Sequence, residues 1–363
     1  SLSFLYKGHG GLKFLHTLLL NYLVWRERRA MASQHEINQL LSLMEVDGPL
    51  KETFQNMHQG YPRETLARFL NARDWDVGKA HKMLIDCLNW RLENEIDNIL
   101  AKPIASADFY RAVRDSQLIG MSGYSKQGLP VMAIGAGLST YDKASVDDYV
   151  QSHIQMNEYR DRVILPMASK KHDHHISTCV KVLDMTGLKL SALNKIQMLA
   201  MICKIDDLNY PEKTQTYYIV NAPYVFSSCW KVVKSLLQER TRRKIQVLPG
   251  CGRDELLKIM GYESLPHFCK REGSGSSRRT RGEAMVDCFS WDHDFHQRLY
   301  NYINHQAQLR RTPPESHKHW NQSHDDLLVK DIEINKTMEP PGVWKFGNPS
   351  WLVNPFNKLE IED

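Results

Sequence analysis

Signatures of several large protein classes are missing from this sequence of 363 residues. Its seven cysteines are scattered, and no two form a CxxC pair. This excludes a disulfide framework or a structural zinc site of the usual spacing, and it favours reduced, buried thiols in a cytoplasmic protein. The net charge of +5 is small for the length. It permits contact with an anionic membrane surface but does not indicate nucleic-acid binding.

Catalytic motifs are missing as well. The sequence contains no GxSxG hydrolase elbow and no GxxxxGK[ST] phosphate-binding loop. The GAG run at 135–137 is only a fragment of a dinucleotide fingerprint, without the helix that it should open. His172, His174 and His175 could bind a metal, but their continuous polar setting favours a solvated loop. Because no nucleophile, base and orienting residue occur together, we expect neither an enzyme nor a bound metal or cofactor.

The first 30 residues differ from the rest of the chain. The run 12–25, LKFLHTLLLNYLVW, is apolar but shorter than the roughly 20 apolar residues of a membrane-spanning helix. Residues 1–30 are interpreted as a leader without a folded role, upstream of Met31. A weak amphipathic segment that contacts membranes is the alternative.

The hydrophobic pattern divides residues 31–363 into three parts. Residues 31–102 have helical periodicity and predict a helical bundle, with Pro62 at a helix start. Residues 103–272 predict an α/β domain with a mainly parallel sheet, because strands and helices alternate. The predicted strands are 129–139, 177–187, 214–223 and 243–249, and the predicted helices are 146–169, 191–208 and 224–239. Residues 273–363 begin with the basic linker GSGSSRRTRG, continue through a possible helix at 287–309 and end in a largely disordered tail.

The segment 224–239 is strongly amphipathic. Its apolar face includes Phe226, Trp230 and Val233, and its other face includes Lys231 and Lys234. One interpretation is a crossover helix packed on the sheet, and the other is the wall of a cavity. The neighbouring strands are apolar on both sides, which is typical of a sheet covered on both faces. Helices or a ligand could provide the second cover.

Two charged residues open neighbouring strands. Glu212 precedes the strand at 214–223, and Lys244 precedes the strand at 243–249 within the basic run Arg240 to Lys244. In a parallel pair both would lie at the same end of the sheet. We therefore expect an ion pair there, which would hold the ammonium ready for a phosphate.

Four motifs in order resemble those of the CRAL-TRIO lipid-transfer family. They are LARFLNARDWDVGKA (66–80), VLDMTG (182–187), NYPEKTQTYYIVNAPYVF (209–226) and ERTRRKIQVL (239–248). The resemblance runs from about Pro62 to Lys270 and is strongest to the phosphatidylinositol transfer proteins, particularly the plant-type members. It implies an N-terminal helical bundle and an α/β lipid-binding domain, whose sheet forms the floor of a hydrophobic pocket and whose segment 224–239 is a gate helix.

The resemblance also implies roles for individual residues. Glu212, Lys244 and Thr241 would bind the inositol-phosphate headgroup. Arg68 or Arg73 would approach the same headgroup, or alternatively would tie the bundle to the α/β domain. The residues expected to line the pocket and gate are Cys179, Lys181, Tyr218, Val220, Tyr224, Phe226, Trp230, Val233 and Leu237.

One departure from the family pattern concerns the second ligand. Members that handle phosphatidylcholine carry small hydroxyl residues at the positions of Cys179 and Lys181. The resemblance therefore implies phosphatidylinositol binding and argues against phosphatidylcholine.

The expected protein is a monomeric, cytoplasmic carrier that contacts anionic membranes transiently and binds no nucleic acid. The alternatives are a carrier of an isoprenoid or sterol-like molecule, and a membrane-recruited interaction protein that acts through its tail.

Overall fold

The computed structural model describes residues 33–45, 47–104, 106–270 and 287–311. The predictions for residues 1–30, for the linker at 273–282 and for the tail beyond 311 lie outside these residues. The described chain divides into two compact units, the first ending at Leu92 and the second starting at Glu93. No described helix is long and apolar enough to cross a membrane.

The first unit is helical, as the sequence predicts. Its helices are α1 (33–43), α2 (Pro49–His58), α3 (Pro62–Asn71) and α4 (Val77–Glu93). Proline occupies the first position of α2 and of α3, where its missing N–H costs no hydrogen bond. The Asp76 carboxylate accepts the N–H of Lys79 at 2.9 Å and caps α4. The apolar faces of these helices form one core around Leu66, Phe69 and Leu84.

The second unit is built on a five-stranded sheet. Its strands are β1 (Ile119–Tyr124), β2 (Pro130–Ile134), β3 (Cys179–Asp184), β4 (Thr214–Val220) and β5 (Ile245–Val247), in that spatial order. The β2–β3, β3–β4 and β4–β5 pairs are parallel, whereas β1 and β2 form an antiparallel hairpin. The mainly parallel sheet is confirmed. β1 was not predicted, because the sequence IGMSGY contains two glycines and no regular alternation.

Helices precede, connect and follow the strands of this sheet. They are α5 (Ala107–Gln117), α6 (Val146–Tyr159), α7 (Leu165–His172), α8 (Ile196–Asn209), α9 (Phe226–Leu236), α10 (Glu239–Arg242), α11 (Arg253–Ile259), α12 (His267–Lys270) and α13 (Asp294–Arg311). A π-helical stretch, Arg160–Ile164, joins α6 to α7, and 3₁₀ turns cover Ile96–Ala101, Leu190–Lys195 and Tyr262–Ser264. The predicted gate at 224–239 thus corresponds mainly to α9. The extended residues Leu237 and Gln238 follow it, and α10 begins at Glu239.

The outer boundaries of the second unit differ from the prediction. The turn Ile96–Ala101, predicted to belong to the bundle, packs against α6 and α13. α13 lies within the predicted linker-and-tail part, yet Leu299 and Ile303 are fully buried. The second unit therefore includes residues 93–102 and 287–311.

The two faces of the sheet have different surroundings. Val131, Ala133, Val180, Val182 and Val220 point to one face and join a core that also contains residues of α7, α11 and α12. The opposite face carries a row in which Lys181 pairs with Tyr217 and Tyr217 pairs with Ile245. Side chains at paired positions of parallel strands lie on the same side. This second face is the floor of the site described next.

Candidate functional site

A cavity of about 280 Å³, partly open to solvent, lies between the second face of the sheet, α8 and α9. The strands provide Ile134, Leu183 and Ile219 to its floor, next to the row that contains Lys181. Its lining is mostly apolar, and its volume is at the lower end of the range for small-molecule pockets. Of the two interpretations of segment 224–239, the cavity wall is the one that the geometry supports.

α9 forms one wall of this cavity. Phe226, Trp230 and Val233 line it, as does Leu237 directly after the helix. The rings of Phe226 and Trp230 stack with their centroids 5.9 Å apart. Among the residues of α9 only Cys229 is buried. The apolar face of α9 therefore borders the cavity rather than packing in a core.

Four residues expected in the pocket do not line it. Tyr218 and Val220 point to the opposite face and pack in the core there, because the register pairs Lys181 with Tyr217. Cys179 is fully buried, and its sulfur lies 3.9 Å from the hydroxyl of Thr214. Tyr224 precedes α9 and is completely exposed. Tyr217 and Ile219 take the places predicted for Tyr218 and Val220.

A second, polar cavity of about 30 Å³ adjoins the first. Lys244 Nζ donates to Glu212 Oε2 at 2.6 Å and to the carbonyl oxygen of Thr214 at 3.1 Å. Arg240 Nε lies 3.4 Å from the other carboxylate oxygen of Glu212. Thr241 lines both cavities, and its hydroxyl donates to Asp207 at 3.4 Å. The predicted ion pair is present, and Thr241 lies beside it.

Lys181 lies where the two cavities meet, together with Asp206. Lys181 Nζ is 3.3 Å from Asp206 Oδ2 and lies over the ring of Tyr217. The other oxygen of Asp206 lies 2.7 Å from His153 Nε2 and accepts from Asn157 at 2.9 Å. Asp206 keeps 23% of its side-chain surface, and this surface faces the cavity. This cluster was not predicted from the sequence, although a lysine within an apolar strand requires an acidic partner from another element.

The charges of this cluster determine its protonation. Burial alone would raise the pKa of Asp206, but His153 and Lys181 outweigh it and hold this pKa well below its usual range. Burial would likewise lower the pKa of Lys181, yet the Asp206 carboxylate raises it above its usual value. Both groups are therefore charged at neutral pH. The inner end of the cavity presents an ammonium that is neutralised by a carboxylate, rather than a free positive charge.

A cluster of three largely buried charges supports the polar end. Arg160 Nε donates to Asp161 Oδ1 at 2.7 Å, and Lys213 Nζ lies 3.1 Å from Asp161 Oδ2. Burial would raise the pKa of Asp161, but the two cations outweigh it and lower this pKa. The Asp161 carboxylate thus ties the π-helical stretch to the residue before β4, next to Glu212.

This three-residue cluster predicts a particular dependence of stability on pH. An aspartate titrates near pH 4 in the unfolded chain, so the contribution of Asp161 is complete above that pH and is lost as the pH falls towards its lower folded pKa. We expect Asp161→Asn to lower the free energy of unfolding most at pH 7, and the difference from wild type to shrink below about pH 4. Urea unfolding across this range measures it. The exposed Asp254→Asn is the matched control, and an equal loss at every pH for Asp161→Asn would contradict the assignment.

Arg68 and Arg73 belong to the first unit. Arg68 Nη2 donates to the hydroxyl of Thr65 at 2.8 Å, and Arg73 Nη1 donates to the carbonyl oxygen of Ala72 at 2.9 Å. Both contacts are local, within α3 and the turn that follows it. The headgroup role of these arginines stays a prediction, as does their alternative role.

Two protein-family models match the chain. The model for the CRAL/TRIO domain matches residues 114–270, and the model for the CRAL/TRIO N-terminal domain matches residues 36–86. Together they cover more than half of the chain. The matched segments fall within the second and the first unit, respectively.

Individual relatives agree with this match. The chain is 31% identical over 321 residues to the phosphatidylinositol/phosphatidylcholine transfer protein SFH12 of Arabidopsis thaliana, which is 86% of this chain and 58% of that protein. It is 30% identical over 237 residues to SFH9 of the same plant, covering 62% of this chain and 40% of the relative. The SEC14 cytosolic factor of Eremothecium gossypii is 28% identical over 211 residues, or 56% of this chain and 67% of that one. The chain spans about half of the length of the plant relatives.

A solved structure has the same fold. The crystal structure of Sfh5 superposes with a TM-score of 0.50 at 18% sequence identity, covering 64% of this chain and 86% of that chain.

Proposed function

Because the chain belongs to the CRAL/TRIO domain family, we propose that it binds phosphatidylinositol and either exchanges it at membranes or presents it to lipid kinases. The observation that carries this proposal is one continuous arrangement: an apolar cavity behind α9 that meets a polar cavity containing Glu212, Thr241 and Lys244. The names of the similar plant proteins support the class of ligand. No catalytic step, metal or organic cofactor is part of the proposed activity.

The acyl chains explain why the cavity is lined by apolar side chains. Exposing one CH₂ group to water costs about 0.8 kcal/mol, so two long chains cost on the order of 20 kcal/mol. A carrier must enclose them completely while it is away from a membrane. The cavity of about 280 Å³ is smaller than a two-chain lipid, so α9 moves outward to admit one. α9 can move because Cys229 is its only buried residue.

The polar cavity would hold the headgroup. Lys244 is already oriented by Glu212 at 2.6 Å, so binding a phosphate oxygen costs little further side-chain ordering. The Glu212 carboxylate can accept hydrogen bonds from inositol hydroxyls, which the trimethylammonium group of choline cannot donate. Phosphatidylinositol is thus the proposed ligand, and phosphatidylcholine is the disfavoured one.

Membrane contact would begin at the start of α9. Tyr224 is fully exposed immediately before the helix, and an aromatic residue with a polar tip suits the boundary between lipid and water. Lys231 and Lys234 lie on the side of α9 away from the cavity. Each lysine near an anionic surface contributes about 1 kcal/mol of attraction. The wall of the cavity would therefore be the part that meets the membrane, as a transient peripheral contact.

Replacing Lys244 tests the headgroup assignment. We expect Lys244→Met to reduce the rate of phosphatidylinositol transfer between vesicles by about tenfold to a hundredfold, because a hydrogen bond to a charged group contributes about 1.5–3 kcal/mol. Lys258→Met is the matched control, since Lys258 pairs with Glu255 at 2.7 Å on the exposed side of α11. Unchanged transfer by a folded Lys244→Met variant would rule out this role of Lys244.

Lipid extracted from the purified protein identifies the ligand class. Mass spectrometry should find phosphatidylinositol in excess over phosphatidylcholine, whereas an isoprenoid or a sterol would contradict the proposal.

Removal of residues 312–363 tests whether lipid exchange depends on the tail. The truncation begins after α13, because Leu299 and Ile303 in that helix are buried in the second unit. Lipid exchange should survive it.

A further inference from the structure

Three side chains suited to metal binding meet at the start of α12. His267 Nδ1 lies 3.2 Å from Cys288 Sγ and 3.2 Å from Asp287 Oδ1. All three atoms lie within 4.8 Å of one another, and in the described part of the chain no other His, Cys, Asp and Glu side chains converge in this way. His267 is separated from Cys288 by 21 positions in the sequence, so no short spacing reveals the group. The proposed lipid function does not use these residues.

As a hydrogen-bonding group, Nδ1 of His267 favours one of these two neighbours over the other, whereas Asp287 Oδ1 also accepts the N–H of Phe289 at 2.8 Å. A neutral imidazole Nδ1 either carries one hydrogen or offers one lone pair. If Nδ1 carries the hydrogen and donates to Asp287, it cannot also accept the hydrogen of the Cys288 thiol. If it accepts from the thiol, its lone pair faces a carboxylate oxygen at 3.2 Å, which is repulsive. A cation at the centre of the three atoms would contact all of them at once.

The separations fit a tetrahedral ion. Zinc bonds of about 2.0–2.3 Å to nitrogen, oxygen and sulfur place neighbouring ligand atoms roughly 3.3–3.8 Å apart. The two distances of 3.2 Å need only a slight expansion to reach that range. A set of one imidazole, one thiolate and one carboxylate suits a borderline-soft divalent ion. We propose that His267, Asp287 and Cys288 bind zinc, with the fourth position open to water on the half-exposed side of Asp287.

The ion would join two separate parts of the second unit. His267 belongs to α12 at the edge of the core, and Asp287 and Cys288 precede α13. Cys288 is 2% exposed, and the ring of Phe289 stacks on Phe268 at 5.9 Å. The site would thus fix the segment that carries α13 against the sheet. Bound metal would stabilise the folded protein in proportion to the logarithm of the metal concentration over its Kd.

Titration of the full, reduced chain with Co²⁺ tests the site. Cobalt bound by a thiolate gives a charge-transfer band in the near ultraviolet, and Zn²⁺ should abolish this band by displacing one equivalent of cobalt. We expect Asp287→Asn to weaken binding at least tenfold, because it removes a charged ligand from a half-exposed position without disturbing the core. We expect Cys288→Ser to remove the band. Asp292→Asn and Cys251→Ser are the matched controls and should leave the band and the affinity unchanged.

Several results would overturn the proposal. A wild-type chain that gives no thiolate band is one, and a band that persists in Cys288→Ser is another. If Cys288→Ser does not fold, Asp287→Asn alone decides, and an unchanged affinity in that variant would exclude the site. Metal uptake lowered as much by His174→Gln as by Asp287→Asn would assign the ion to the HDHH run at 172–175 instead.

Discussion

Tryptophan in place of Cys203 is expected to reduce the phospholipid that co-purifies with the protein to background. Cys203 lies in α8 and lines the large cavity, and burial raises the pKa of its thiol to about 12. A tryptophan side chain at this position would extend into space that the acyl chains need. Overpacking a filled core costs about 1–3 kcal/mol, but here the added atoms enter a cavity of about 280 Å³. The variant should therefore remain folded and be empty of lipid.

The measurement is the amount of phospholipid per mole of protein, together with the thermal unfolding temperature. Val232→Trp is the matched control, because Val232 is 42% exposed on the side of α9 away from the cavity. That variant should keep its lipid. A folded Cys203→Trp protein that still carries a full complement of phospholipid would mean that the lipid binds somewhere other than this cavity.

Removal of the Asp206 carboxylate is expected to lower the free energy of unfolding by about 3–5 kcal/mol. Asp206→Ala leaves the ammonium of Lys181 inside the protein without its partner at 3.3 Å. It also removes the acceptor of the Asn157 amide and the group that lies 2.7 Å from His153. An uncompensated interior charge is much more costly than the loss of an exposed pair. Urea unfolding at neutral pH measures the difference.

Two further variants show whether the uncompensated charge is the cause. Glu255→Ala removes an exposed pair with Lys258 in the same unit and should cost at most about 1 kcal/mol. The double variant Lys181→Met with Asp206→Leu should recover most of the loss, because apolar groups of similar volume often replace an interior ion pair without penalty. An equal loss in the single and the double variant would instead indicate that packing around α8 is responsible.

The sequence predicted the strands well but not which side of each strand faces the cavity. β4 has large side chains on both sides, so Tyr217 and Tyr218 are equivalent until β3 is placed beside it. The choice depends on a pairing across separate strands, and the register shift between Cys179 and Val180 changes that pairing locally. By contrast, the Glu212–Lys244 pair was predictable because each residue opens a neighbouring parallel strand.

Other parts of the site had no local sequence signal. His153 and Asp206 lie 53 positions apart, on two helices whose relative placement follows from packing on the sheet. The only indication was indirect, since Lys181 within an apolar strand required an acid from another element. The group of His267, Asp287 and Cys288 was missed for the same reason, because a search by spacing finds metal ligands only when they are close in the sequence.

The shortness of β5 has a consequence for the proposed opening of the cavity. This strand, Ile245–Val247, forms one edge of the sheet, and two of its three residues are exposed. A longer edge would present a row of unpaired amide and carbonyl groups to any passing strand. Each opening would then be an opportunity for one copy to polymerise with the next. With so few backbone groups at this edge, the sheet would offer another copy little to pair with when α9 moves outward as proposed.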